Sequence, residues 1–271
     1  MIEPFSVQRG DSPLVLAMPH TGTFVPQDVW TDLNERGKML ADTDWHLDRL
    51  YGGLVPDATI VGATFHRYVI DANRDPGGQS LYPGQNTTAL CPVTDFEGHP
   101  IYRDGREPDA AEIARRLSLY HAPYHATLRA ELERVRRKHG VVVLYDCHSI
   151  RSLIAFLFDG QLPDLNVGTN NGVTCAPEME AAVARICSQA PGFTSVLNGR
   201  FRGGWTTRHY GRPEEGVHAI QMELAQCTHL EQEAPPFAYD TAKAERLREA
   251  LRSVLRSLVD AAGRHAPQQD R

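Results

Sequence analysis

The chain has 271 residues, 41% of them hydrophobic and 23% charged, and 28 lysines and arginines against 34 aspartates and glutamates leave a formal charge of −6. That composition is ordinary for a globular protein and excludes a disordered chain or a coiled coil. The mildly acidic balance argues against a broad nucleic-acid footprint, which needs basic residues clustered on one face.

A chain this long buries most of its apolar surface and suits a body of enzyme size. With no repeat, low-complexity tract or linker, residues 1–271 are expected to form a single domain. Residues 13–20 are an apolar run ending in a polar side chain, as in a buried strand that delivers His20 to a sheet edge. Residues 26–54 mix acidic and apolar positions at helical spacing, which predicts a helix carrying Asp44, Leu47, Asp48 and Leu50 before a Gly52-Gly53 stop. Residues 59–70, dense in β-branched and aromatic side chains, read as a second strand leading into Asp71-Ala72-Asn73-Arg74. A polar loop over 75–108 follows, of a length often found in functional lids. The longest helical pattern runs over 109–139, with a stripe of Ile113, Leu117, Tyr120, Tyr124, Leu128, Leu132 and Val135 that Pro123 should kink or divide.

Gly140 ends that pattern, and residues 141–145 are the clearest buried strand, leading to Asp146-Cys147-His148-Ser149. Residues 154–158 are a further strand candidate, followed by a loop through Asn171 and a helix over Pro177–Gln189 with proline in its first turn. Residues 217–224 alternate like a strand, and 242–262 form an amphipathic terminal helix. Strands separated by helices imply a mostly parallel or mixed sheet covered on both faces. The five cysteines, Cys91, Cys147, Cys175, Cys187 and Cys227, form no CxxC pair, which favours free thiols in a reducing compartment. No apolar stretch approaches the roughly 20 residues of a spanning helix, and Met1-Ile2-Glu3-Pro4 lacks a basic leader followed by an apolar core. A cytoplasmic protein with no membrane or nucleic-acid partner is expected.

Three residues stand at or near the carboxyl ends of these strands: His20, His148 and Glu223. Open α/β sheets assemble ligand sites there. Two imidazoles, a carboxylate and a water suit catalytic zinc, with a separate carboxylate to take the proton of the water. The alternative is a polar strand end at His148 and a satisfied buried acid at Glu223. His121 and His125 share a helix face, but Ala122 stands where the HExxH pattern needs glutamate and Pro123 interrupts the helix, so two surface histidines are the simpler reading. Arg67, Asn73 and Arg74, with Arg202, Arg208 and His209 in the glycine-rich stretch 200–211, suit a small anionic substrate, because guanidinium groups grip carboxylates two-pronged. Surface pairing with acids is the alternative for those arginines, and a core position for Trp205 and Tyr210. Cys147 and His148 are strand neighbours pointing to opposite faces, against a Cys/His nucleophile pair. Arg134, Arg136, Arg137 and Lys138 read as a solvated helix end that complements the dipole, and no phosphate-binding glycine motif occurs.

Six ordered blocks carry a family resemblance: Met18-Pro19-His20-Thr21-Gly22, Asp42-Thr43-Asp44-Trp45-His46-Leu47-Asp48, Asp71-Ala72-Asn73-Arg74-Asp75, Tyr82-Pro83-Gly84-Gln85-Asn86-Thr87-Thr88, Asp146-Cys147-His148-Ser149 and Gly204-Trp205-Thr206-Thr207-Arg208-His209-Tyr210-Gly211. Together they resemble the N-formylglutamate amidohydrolase (deformylase) family of histidine degradation, from His20 to Glu223. That family is similar to the zinc carboxypeptidase and aspartoacylase group. The resemblance therefore implies a three-layer α/β/α fold around a mixed, mostly parallel twisted sheet, phosphorylase/hydrolase-like and zinc carboxypeptidase-like. It also implies metal-binding histidines at His20 and His148, a water-activating Glu223, an Arg67 that steadies the scissile carbonyl, and an Asn73-Arg74 pair on a substrate carboxylate. The related enzymes carry an HxxE pair, whereas Thr23 stands three residues after His20. The remaining ligand is expected at Asp44, with His46 and Asp48 left open.

The expectation is a zinc-dependent amidohydrolase acting on a linear amide, converting N-formyl-L-glutamate to L-glutamate and formate. His20, Asp44 and His148 would hold one divalent metal ion, Glu223 and Arg67 would be catalytic, and Asn73, Arg74 and Arg208 would clamp the two carboxylates of a small dicarboxylate substrate. The alternatives are hydrolysis of another N-acyl amino acid, such as an acyl-aspartate or a small peptide, and a non-catalytic binder of dicarboxylate or metal. The oligomeric state is not legible.

Overall fold

The computed structural model describes residues 2–79 and 84–265. Seven strands form one sheet: Phe5–Gln8 (β1), Leu14–Met18 (β2), Thr59–Ala63 (β3), Val142–Ile150 (β4), Leu165–Gly168 (β5), Ser195–Leu197 (β6) and Val217–Ala225 (β7). Their order is β1-β3-β2-β4-β7-β5-β6. The central strands β3, β2, β4 and β7 run parallel, as do β5 and β6, while β1 on β3 and β5 on β7 are antiparallel.

The α-helices among the described residues are Gln27–Asp32 (α1), Leu47–Tyr51 (α2), Ala110–Arg116 (α3), Ala122–His139 (α4), Pro177–Gln189 (α5), Trp205–Tyr210 (α6) and Thr241–His265 (α7). The three layers follow from side-chain alternation in the central strands. Leu14, Leu16 and Met18 of β2 and Val143, Tyr145 and Cys147 of β4 pack with α2, α5 and α7. Val15 and Ala17, with Val142 and Leu144, pack instead with Tyr124, Leu128, Leu132 and Val135 of α4. The expected three-layer fold with a mixed, mostly parallel sheet is therefore the observed one. Both faces being covered, these strands are buried throughout rather than half-exposed.

The chain-order expectations hold best where periodicity is long. The pattern over 109–139 is divided as Pro123 requires: a π turn, Leu117–His121, separates α3 from α4, and the proline sits in the first turn of α4, where no N–H is needed. Gly140 closes α4 in the left-handed conformation that glycine adopts without cost. Other expectations hold in part or fail. Within residues 26–54, α2 carries Leu47, Asp48 and Leu50 and stops at Gly52 as expected, but α1 and a 3-10 turn at Gly37–Met39 precede it and Asp44 lies ahead of it, outside any helix. Only Thr59–Ala63 of the 59–70 stretch is strand; beyond it the backbone turns, with His66 N bonded to Phe24 O. Residues 154–158 are a turn, not a strand: Leu157 and Phe158 N–H both bond to Ile154 O, and Ile154 packs with Phe96, Ile150 and Leu162. The loop through Asn171 contains β5. Over 75–108, the described residues carry no helix or strand; Tyr82 and Pro83 of the fourth motif lie outside the described residues. All five cysteines are free. No described helix is long and apolar enough to cross a membrane.

Candidate active site

The site forms at the carboxyl ends of β2, β4 and β7, on the α4 face of the sheet. Asp146 and His148 share that face with Val142 and Leu144, whereas Cys147 points into the opposite core, so no Cys/His pair exists. Register pairs His148 with Glu223 on β7. His20 follows β2, and its carbonyl accepts from Asp44 N at 3.0 Å, which draws the turn after α1 under the histidine. Asp42, Thr43 and Asp44 are buried there; Tyr68 Oη and Phe96 N donate to Asp42, and Gln226 donates to Thr43 O.

His20, Asp44 and His148 are buried, and one ligand atom from each lies within 4.8 Å of the others. Both imidazoles adopt the same arrangement. Nδ1 of His148 lies 3.2 Å and Nδ1 of His20 3.6 Å from Asp44 Oδ2. Their outward nitrogens meet further buried carboxylates: His20 Nε2 lies 2.7 Å from Asp71 Oδ1 and His148 Nε2 3.0 Å from Asp146 Oδ1. Carboxylates on the far nitrogen orient metal-ligating histidines and raise their basicity. Two imidazoles and a carboxylate, oriented in this way, are a donor set that fits a divalent metal ion. Burial alone would raise the Asp44 carboxyl, but hydrogen bonds to His148 and His20 hold it well below the usual range. His148 is displaced the other way: burial disfavours its charge, and Asp146 and Asp44 overcome that penalty.

The expected Asp44 is thus the carboxylate beside the two histidines, although no helix carries it there. His46 and Asp48 are elsewhere: His46 Nε2 lies 2.8 Å from Phe237 O, and Asp48 is exposed.

A cavity of about 590 Å³, mouth included, opens beside this cluster and is lined by His20, His148, Glu223, Arg67, Asn73 and Arg74. Glu223 is held by Gln221, whose Nε2 donates to Glu223 Oε2 at 3.2 Å while its Oε1 accepts from Gly204 N at 2.6 Å. Burial, reinforced by Asp44 and Asp146, lifts the Glu223 carboxyl well above the usual range against the pull of His148 and Arg67. Such a group is suited to exchanging protons near neutrality. The buried Arg67 guanidinium contacts His20 and lies 3.7 Å from Asp71 Oδ2.

Asn73 is pinned on both sides: Thr206 N donates to its Oδ1 at 2.8 Å, and its Nδ2 lies 3.1 Å from His148 Nε2. Gly204 must remain glycine, since a Cβ would lie 2.3 Å from Asn73 Nδ2. Arg74 donates to Thr88 O at 3.0 Å and to Thr88 Oγ1 at 2.9 Å. Among the described residues that line the cavity Arg208 does not figure, and its Nε donates to Gly203 O at 2.8 Å; Arg200 of the same stretch lines the cavity. His121 and His125 are a correction, being buried rather than surface residues. Their Nε2 atoms lie 3.1 Å from Arg74 O and 2.7 Å from Ala72 O, and so hold the backbone on either side of Asn73.

Sequence reasoning missed Asp146, Gln221, Thr207 and Arg200. The spacing of Asp146 and His148, two apart in a strand, was the available signal for the first. Thr207 Oγ1 donates to Asp146 Oδ2 at 2.9 Å, a contact between distant segments that no local pattern announces.

Residues 12–230 match the sequence profile of a family described as N-formylglutamate amidohydrolase. The chain is 46% identical over 260 residues to N-formylglutamate deformylase of Pseudomonas aeruginosa, covering 96% of this chain and 97% of that protein. It is 44% identical over 261 residues to N-formylglutamate deformylase of Pseudomonas putida, with the same coverage of 96% and 97%. The crystal structure of N-formylglutamate amidohydrolase from Ralstonia eutropha JMP134 matches with a TM-score of 0.80 at 27% identity, over 98% of this chain and 100% of that one.

Proposed function

The chain belongs to the N-formylglutamate amidohydrolase family, and from that membership we propose that it hydrolyses the formyl C–N bond of N-formyl-L-glutamate, releasing L-glutamate and formate in histidine degradation. The observation that carries this reading is the convergence, in one cavity, of the His20 and His148 imidazoles, Glu223, Arg67 and Arg74 beside the buried Asp44. His20, Asp44 and His148 would hold one zinc ion, which when bound supplies Lewis-acid polarisation and a more acidic water. Glu223 takes the proton of the attacking water and returns it to the departing amine nitrogen, a shuttle that its raised affinity for protons supports. Arg67 stabilises the negative charge that develops on the formyl oxygen, in a setting where burial strengthens the interaction. Arg74 binds the substrate's α-carboxylate, and Asn73, locked by Thr206, fixes the segment from which Arg74 projects.

The test is formate release from N-formyl-L-glutamate by purified protein as isolated, after chelation, and after zinc is restored. Turnover that disappears on chelation and returns with zinc is the expected result. No turnover with zinc bound overturns the substrate assignment and leaves hydrolysis of other N-acyl amino acids to be measured. Full turnover after exhaustive chelation overturns the metal assignment.

A further inference from the structure

We propose that Arg200 recognises the side-chain carboxylate of the substrate and sets specificity for a dicarboxylate; this deepens the amidohydrolase reading and rests on it. The reacting end of the cavity is built from buried groups, namely His20, His148, Glu223 and Arg67. The rest of its wall holds two half-buried guanidinium groups, Arg74 and Arg200, with the segment Asn86-Thr87-Thr88 between them.

Both arginines are held by that segment. Arg74 donates Nε to Thr88 O, and Arg200 donates Nη2 to Asn86 O at 3.1 Å and Nε to Leu157 O at 3.0 Å. The carbonyls that receive them are two residues apart, which limits their separation to about 7 Å of chain. The two carboxyl carbons of glutamate are four single bonds apart, a span of comparable size. A carboxylate on Arg74, which follows Asn73 at the reacting end, is the one attached to the carbon bearing the scissile amide. The other then extends along 86–88 toward Arg200. The bonds to Asn86 O and Leu157 O fix the plane of the Arg200 guanidinium, and a fixed plane is what two-pronged carboxylate recognition requires. Arg208, the other candidate of the glycine-rich stretch, is engaged with Gly203 O outside the wall.

The experiment compares kcat and KM of wild type, Arg200→Met and Arg200→Lys on three substrates: N-formylglutamate, its γ-amide N-formylglutamine, and its α-amide. Arg200→Met is expected to lose roughly 10- to 100-fold in kcat/KM on N-formylglutamate, chiefly through KM, and several-fold less on the γ-amide, so that acid-over-amide discrimination collapses. The α-amide retains the γ-carboxylate and should suffer the same fold-loss as the diacid. Arg200→Lys, keeping the charge without the fork, should fall between. Equal loss on the diacid and the γ-amide overturns the proposal and leaves Arg200 as a brace between the 86–88 and 157 segments; turnover of the γ-amide also reports that the variant is folded. Wild-type protein that releases no formate from N-formylglutamate overturns the amidohydrolase reading, and this one with it. Wild-type turnover with unaltered discrimination in Arg200→Met overturns this proposal alone.

Discussion

Two carboxylates in this site have opposite tasks, and their surroundings separate them. Asp44 accepts from Ser149 N and lies against both histidines, so its charge is stabilised, whereas Glu223 has burial and neighbouring anions against it. Glu223→Gln preserves shape and the bond from Gln221 but cannot carry a proton. Formate release should fall roughly a hundred- to ten-thousandfold while zinc stoichiometry, measured by atomic absorption, stays at that of wild type; near-normal turnover would remove Glu223 from the mechanism. Asp146 acts at one remove, through His148 Nε2, and is itself fixed by Thr207. Asp146→Asn is expected to weaken zinc about 10- to 100-fold in chelator competition, with a smaller loss for Thr207→Val. Equal zinc affinity in wild type and Asp146→Asn would reduce the Asp146–His148 contact to packing.

At the scale of elements, the site depends on loops held closely against strand ends. Gly22 follows β2 two residues after His20, and a Cβ there would lie 2.3 Å from the backbone carbon of Thr64, just past β3. Backbone cannot yield as a side-chain end can, so Gly22→Ala should cost about 1–3 kcal/mol and lower Tm by several degrees. Its melting curve is the check, and an unchanged Tm would mean that the loop moves freely. The same dependence explains what the sequence disclosed. Long periodic elements, α4, α5, α7, β4 and β7, were readable because one buried stripe or run repeats many times in each. The short strands β1, β5 and β6 were not, since three or four residues carry no period and are recruited by neighbours already in place. His20, His148 and Glu223 could be proposed together because strand ends converge in such sheets. Asp44 could be named only through the family resemblance, and on a helix that begins after it, at Leu47; the hydrogen bond from its backbone N–H to His20 O places it. Arg200 against Arg208 was undecidable, because glycine-rich backbone gives a side chain no fixed direction until Gly203 and Gly204 are anchored.

For the molecule as a whole, the histidines set a direction for stability against pH. His125 and His229 lie in packed interior positions, and burial lowers them to about 3 and about 4. The unfolded chain binds a proton at each below about 6.5, whereas the native state does so only near pH 3 for His125 and near pH 4 for His229. Across that window the unfolded state holds more protons, so stability drops as pH drops. Asp42 has the reverse sign: burial raises it to about 6, so the native state takes up its proton first and is favoured as pH falls from about 6 toward the ordinary carboxylate value. Glu223 and His148, also raised, act with Asp42, but His66, His121, His209 and His218, all lowered by burial, outnumber them and tip the balance toward acid lability. Denaturation midpoints should therefore decline between pH 7 and pH 5. His229→Asn separates this effect from metal release, because the metal site is common to both proteins. The asparagine amide stops at the position of Nδ1 and does not reach Trp45 O, which accepts from His229 Nε2 in the native protein. The variant should be less stable at pH 7 but lose less on acidification, the slopes differing by up to one proton, or about 1.4 kcal/mol per pH unit. Parallel pH profiles for the two proteins would show that His229 is protonated in the folded state as readily as in the unfolded one.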